Sequence, residues 1–456
     1  METKGDIMAN MRRAAAGAAI AASMALLAAC SSDGGDDGPT SGATSGGGGG
    51  DEPVTLTWWH NGVAGDTGEN SLGDYWDQVA ADYMADNPNV TIEIEQIQNE
   101  DLQRTRIPTA LQSGDAPDLF QQWGGGEMAA QAEAGYLMDL SDVLSDDINR
   151  LGGGVAPWQV DGVTYGLPFQ FAVEGIWYRP SLFEEAGITD VPTTMDELGD
   201  AVQKLKDAGI VPIAVGAADG WPAAHWWYNF ALRSCAQDVV ASAGTSLDFS
   251  DPCWVDAGDQ LQAFIDTDPF QPQFTSTVAQ TGATSSAGMV ANGDAAMELM
   301  GQWNYFVYEG FTDGSDEAIA ALHEDLDWFP MPATDGGSGD PSAAMGGGDG
   351  FSCYVDAPPE CADFLAYIVS DDVQRGYAEA VGGLPVAPAA SDAVTDPVLQ
   401  KIAQTTSSAA YVQLWMDTLL GPNVGGAMND GIVNIFNGTG DAQGVVDAMV
   451  AAAATS

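Results

Sequence analysis

From Val54 onward, short β-rich runs alternate with amphipathic helical stretches, and no other feature restricts the fold as much. Val54 to Trp59 is apolar and carries side chains that suit a pleated, half-buried surface. After Ser71, the residues Leu72, Tyr75, Trp76, Val79, Tyr83 and Met84 recur at helical spacing, and Asn87-Pro88 stops that helix. Val90, Ile92 and Ile94 then alternate with polar residues, which predicts a second strand over 90–97. The pattern over 101–113 is helical, with Pro108 expected to kink or restart it. Gly114-Asp115-Ala116-Pro117 turns the chain into a short strand at 118–120, and 128–134 reads as a helix closed by Gly135. The best-marked helix covers 195–208. Thr194 and Glu197 form a capping box, Leu198, Val202 and Leu205 share a face, and Lys204 and Lys206 sit in the last turns before Gly209. A strand over 210–215 follows. Strands alternating with helices predict an α/β protein with parallel strand pairs covered by helices.

The N-terminus dictates where that fold must work. Arg12-Arg13 precedes a small, apolar run from Ala14 to Ala29, the order of a secretory signal. The run is too short to span a bilayer, which needs about 20 residues. An ordinary cleavage site followed by a chance cysteine is the bland alternative, but Leu27-Ala28-Ala29-Cys30 resembles the bacterial lipoprotein box. Residues 1–29 are therefore expected to be a lipoprotein signal peptide. Cys30 is the expected lipidation site, anchoring the chain at the outer face of the cell membrane. Residues 30–53, rich in Gly, Ser, Thr and Asp, read as a flexible acidic tether; about 20 such residues reach roughly 25 Å.

Cleavage before Cys30 leaves 427 of the 456 residues, more than one hydrophobic core usually serves, so two lobes are expected. The net charge of −54, with only 12 Lys and Arg, repels nucleic acid and anionic lipid. A densely acidic surface suits salty surroundings, where screening relieves self-repulsion. The five cysteines fit one lipid site and two pairs. Four cysteines allow three pairings; the near neighbours, Cys235–Cys253 and Cys353–Cys361, are the simplest, and an exported location permits them. There is no CxxC, and His60, His225 and His323 are scattered, so neither a metal nor a cofactor is expected.

No phosphate-binding loop, HExxH or GxSxG motif is present. A glycosidase needs two placed carboxylates, and among so many acids no pair stands out. Aromatics are more informative. Trp58-Trp59-His60, Trp123 before a glycine triplet, Trp221, Trp226-Trp227-Tyr228 and Trp303 fall in segments that read as loops after strands. Any one tryptophan taken alone is more often core. As a set beside Gly, Asn and Gln they suit a site that stacks flat ligands and hydrogen-bonds their rims, the shape of a sugar.

Four segments carry a resemblance across the whole mature chain. They are Ser113-Gly114-Asp115-Ala116-Pro117-Asp118-Leu119-Phe120 running on to Ala134-Gly135-Tyr136-Leu137-Met138-Asp139-Leu140; Tyr165-Gly166-Leu167-Pro168 through Ala172-Val173-Glu174 to Leu182-Phe183-Glu184-Glu185-Ala186-Gly187; Asn292-Gly293-Asp294-Ala295-Ala296-Met297 ending at Gly301-Gln302-Trp303; and Gly347-Gly348-Asp349-Gly350. In order and spacing they resemble the family 1 extracellular solute-binding proteins of bacterial ABC sugar importers, typified by maltose-binding protein. Trp59-His60-Asn61 with Gln98-Asn99 is similar to actinobacterial binders of xylo-oligosaccharides. Gln302, where the family often has Pro, and Pro108 inside a helix depart from the pattern.

The resemblance implies two α/β lobes joined by three crossings, with a ligand cleft between them. It implies a first lobe of 54–170 plus 298–345 and a second of 175–296 plus 346–456. It also transfers a ligand site: Trp59, His60, Asn61, Gln122 with its neighbour Gln121, Trp123, Glu174, Trp221, His225, Trp226, Trp303, Asp349 and Trp415. The function implied is that of a monomeric, lipid-anchored receptor that captures a di- or oligosaccharide without chemistry. It would hand its sugar to two permease subunits driven by a separate ATPase. A secreted carbohydrate-active enzyme, and a binder of a non-sugar solute such as a peptide or polyamine, are the rival functions.

Overall fold

The computed structural model describes residues 52–62, 71–334 and 336–455; the expected signal peptide, Cys30 and the tether as far as Asp51 lie outside them. Two sheets organise the described chain. In the first, the strands Val90–Gln96, Val54–His60 and Leu119–Gln122 run parallel. Gly350–Cys353 and then Leu167–Pro168 extend it antiparallel. In the second, Ala172–Tyr178 is central. It pairs antiparallel with Ala295–Gly301 on one side and with Asp327–Pro330 and Ala344–Gly347 on the other. Val211–Ala214 and Val412–Leu414 close the edges in parallel. The two sheets are the two lobes of an α/β fold.

Local sequence accounts for most of the elements. The helix Ser71–Asp86 ends before Asn87-Pro88, and Met195–Asp207 carries the full capping box between Thr194 and Glu197. Pro108 restarts rather than breaks the stretch expected to be helical. Leu102–Arg106 forms a π-helical turn, and Pro108 then sits in the first turn of Ile107–Ser113, where its missing N–H costs nothing. Gly114, at φ 78°, caps that helix in the left-handed region. The cysteines pair as nearest neighbours, Cys235 with Cys253 and Cys353 with Cys361.

Strand pairing corrects the lobe boundaries. The segment 298–345 does not return to the first sheet: Asp327–Pro330 and Ala344–Gly347 both pair with Ala172–Tyr178 in the second. Gly175 explains the seat, because a Cβ there would lie 2.2 Å from the Trp328 ring; with none, the indole packs directly against the central strand. Gly350–Cys353, assigned by resemblance to the second lobe, belongs to the first sheet, and the helices Glu360–Ile368 and Asp371–Val381 pack with it against Ser71–Asp86. The crossings therefore fall at 169–171, at 348–349 and after Val381. They converge on Gln170, which bridges to Pro385, donates its backbone N–H to the Asp349 carbonyl (3.3 Å) and receives the Tyr377 hydroxyl on its side chain (2.5 Å).

Candidate functional site

Between the sheets lies a cleft enclosing about 1230 Å³ of empty space, part of it open to solvent. Three tryptophans form its apolar wall, each delivered by the end of an element. Trp221 opens the helix Trp221–Ser234 just after Gly220, which adopts φ 79°. Trp303 follows the strand Ala295–Gly301, and Trp415 follows Val412–Leu414 at the head of the helix Met416–Phe436. Their rings meet edge to face, Trp221 with Trp303 at 6.3 Å and Trp303 with Trp415 at 5.7 Å between centroids. Edge-to-face contact fixes each ring while leaving flat surface for a ligand. Two glycines make room: a Cβ on Gly301 would fall 1.9 Å from the Trp303 ring, and one on Gly347 would fall 2.5 Å from the Trp415 ring.

Glu174 lies behind this wall. It is 2% exposed, accepts the Trp415 indole N–H (2.5 Å) and an Asn229 amide (3.1 Å), and its Oε1 lies 2.9 Å from His225 Nδ1. It holds Trp415 and His225 in place from outside the lining. Opposite, Asn61, Gln98, Asn99, Gln103 and Trp123 line the first-lobe side. Asp349 closes the hinge end, taking a short hydrogen bond from Gln170, and burial pushes its carboxyl up to about 6 against that bond.

Seven of the transferred site residues line the cleft: Asn61, Trp123, Trp221, His225, Trp303, Asp349 and Trp415. The others do not. Trp59 is half-buried beneath the Arg106 guanidinium, 4.8 Å from its ring centroid. His60 is fully buried against Trp58; its Nδ1 accepts the Gly62 N–H, and burial lowers its pKa to about 3. On a strand, successive side chains face opposite ways, and this one turns Trp58 and His60 to the same interior. Gln121 and Gln122 are buried in their strand, with Gln122 bonded to Gln131 and to the Trp123 backbone. Trp226 is core, stacked on Phe264 at 5.1 Å and edge-on to Phe270 at 5.5 Å. It follows His225 directly, so it leaves the helix on another face.

Sequence patterns pointed to none of Gln103, Gln280, Thr281, Phe306, Asp417 or Thr418 as site residues, yet all line the cleft. They come from separate segments that only the folded chain brings together. Asp417, itself buried, belongs to a charge cluster across the lobes. Arg104, in the π-helical turn, pairs with it at 3.0 Å and approaches Glu127 and Glu100 at 3.9 Å. Burial raises Glu127 and takes Glu100 up to about 7, although Arg104 opposes both shifts. Beside this cluster the glycine triplet after Trp123 permits backbone contact between lobes: Cβ atoms on Gly125 and Gly126 would fall 2.9 Å and 2.5 Å from the carbonyls of Thr418 and Leu419.

A hinged pair of α/β sheets with an aromatic cleft between them is an architecture for holding a solute. The sequence pattern of the bacterial extracellular solute-binding proteins matches residues 67–375, well over half of the chain. The chain belongs to that family. Among its relatives, a putative binding protein of Brucella abortus is 27% identical over 209 residues, 45% of this chain and 49% of the relative. The solute-binding protein thus spans about half the length of the first curated relatives it matches. The alpha-glucosides-binding periplasmic protein AglE of Rhizobium meliloti is 24% identical over 355 residues, 74% of this chain and 76% of AglE. A solved chitin oligosaccharide binding protein superposes with a TM-score of 0.78 at 24% identity, covering 88% of this chain and 98% of its own. Among the described residues of the solute-binding protein, no helix is long and apolar enough to cross a membrane.

Proposed function

We propose that this solute-binding protein captures a di- or oligosaccharide in the cleft between its lobes and delivers it to the membrane subunits of an ABC importer. The observation that carries the proposal is the Trp221–Trp303–Trp415 wall facing amide and carboxylate side chains across the cleft. Sugars offer apolar ring faces for such a wall and hydroxyl rims for the polar side. The names of AglE and of the chitin oligosaccharide binding protein support the same ligand class. Asn61, Trp123, Trp221, His225, Trp303, Asp349 and Trp415 contact the sugar, and Glu174 positions two of them. Binding draws the lobes together because the ligand touches both, which favours the closed state. Calorimetric titration with xylobiose, maltose, cellobiose and diacetylchitobiose, beside a peptide and spermidine, tests the reading. Heat from at least one sugar is expected. Binding of the peptide or spermidine alone would refute it.

The mature protein starts at Cys30, acts as a monomer and is held by lipid at the outer face of the membrane. Cys30→Ser should abolish detergent-phase partitioning; equal membrane retention of the variant, with normal processing, would remove the anchor.

A further inference from the structure

The polar side of the cleft is one-sided in its chemistry. Two carboxylates, Asp349 and Asp417, and His225 line it, and among the described residues no Lys or Arg does. The nearest cation, Arg104, is already matched against Asp417, Glu127 and Glu100. Three lining glutamines and one indole also spend an N–H on protein acceptors. Gln103 gives its N–H to buried Glu127 (2.8 Å), and Gln170 gives its own to Asp349. Gln280 donates to Asn304 (3.0 Å), whose own amide is turned by buried Glu298 (2.9 Å). The Trp415 N–H is taken by Glu174. A carboxylate accepts and cannot donate, so Glu127 and Asp349 each fix which end of a glutamine faces them, and Glu298 does so for Gln280 through Asn304.

We propose that the cleft selects against anionic glycans: it takes neutral, hydroxyl-donating oligosaccharides and rejects those carrying a uronic acid. The proposal rests on the sugar reading above and adds the charge class of the ligand. A hydroxyl can donate to the acceptors on show. A uronate brings a carboxylate beside Asp349 and Asp417 with no cation to meet it, and unpaired like charges in a partly desolvated site are a strong discriminant. This exclusion is local. It differs from the long-range repulsion of a chain with net charge −54, which molar salt screens to within a few ångströms.

The experiment titrates the mature protein at pH 8 with the neutral sugar that binds best and with its counterpart of equal length carrying one glucuronate, in 0.1 M and about 1 M NaCl. The uronate should bind roughly 100-fold more weakly or worse, and the penalty should persist in molar salt. Asp349→Asn, which keeps the size of the side chain, should narrow the gap by about tenfold without lowering its melting temperature. Equal binding of neutral and acidic sugars overturns the proposal and leaves the sugar reading standing. So does a penalty that vanishes in molar salt, or one that Asp349→Asn leaves unchanged in a folded protein. If no sugar of either charge binds, the sugar reading and the charge selection fall together.

Discussion

Replacing Trp303 with alanine should remove binding without removing the fold, and the contrast with Trp226 makes the test sharp. Trp303 is partly exposed in the cleft, its ring braced on its edges by Trp221 and Trp415. One indole face covered by a sugar removes on the order of 60–80 Å² from water, about 2 kcal/mol at 25 cal/mol per Å². Stacking adds about 0.5–1.5 kcal/mol, a scale measured between aromatic faces and applied here to a sugar face. The sum, about 2–4 kcal/mol, is a loss of roughly 30- to 1000-fold in affinity. Trp303→Phe should lose less. Trp226 is 1% exposed and packed on Phe264 and Phe270. Its alanine variant deletes a large core side chain, at about 3–5 kcal/mol. For a lobe of about 200 residues that lowers the melting temperature by roughly 6–20 °C. Calorimetric titration and thermal melting of both variants decide the matter. Native affinity in Trp303→Ala, or a loss of binding matched by a fall in melting temperature as large as that of Trp226→Ala, would refute the assignment of Trp303 to the site.

The buried acids predict an unusual pH dependence. Burial raises Glu298 to about 7 and Asp349 to about 6, so the folded state holds protons that the unfolded chain releases near pH 4. Stability from these groups is complete below pH 4, falls as pH rises through 6 to 7, and is flat above. Melting should therefore be higher at pH 5 than at pH 8, and Glu298→Gln should raise it more at pH 8 than at pH 5; an equal effect at both would exclude Glu298 as a source. Opening the Cys235–Cys253 bridge by double serine substitution should cost about 3 kcal/mol for a loop of 18 residues, and opening Cys353–Cys361 about 2.5 kcal/mol for one of 8, read from denaturant midpoints.

The elements of the first half of the chain were legible in the sequence. Capping at Thr194 and Glu197, the Asn87-Pro88 stop and the alternation in Val90–Gln96 act over a few residues, so neighbours along the chain suffice to specify them. Nearest-neighbour cysteines paired for the same reason, being close before any tertiary structure forms. Tertiary structure decided which tryptophans are site and which are core. Trp221 and Trp226 lie five residues apart at the head of one helix, yet one faces the cleft and the other Phe264, because neighbouring elements cover one face and not the other. It decided the lobe assignment too, since Asp327–Pro330 and Gly350–Cys353 found their sheets through pairing with distant strands. The polarity of the cleft was furthest from view. Which end of Gln103 or Gln170 faces inward depends on Glu127 and Asp349, 24 and 179 residues away along the chain, and a hydrogen bond reads distance in space rather than in sequence.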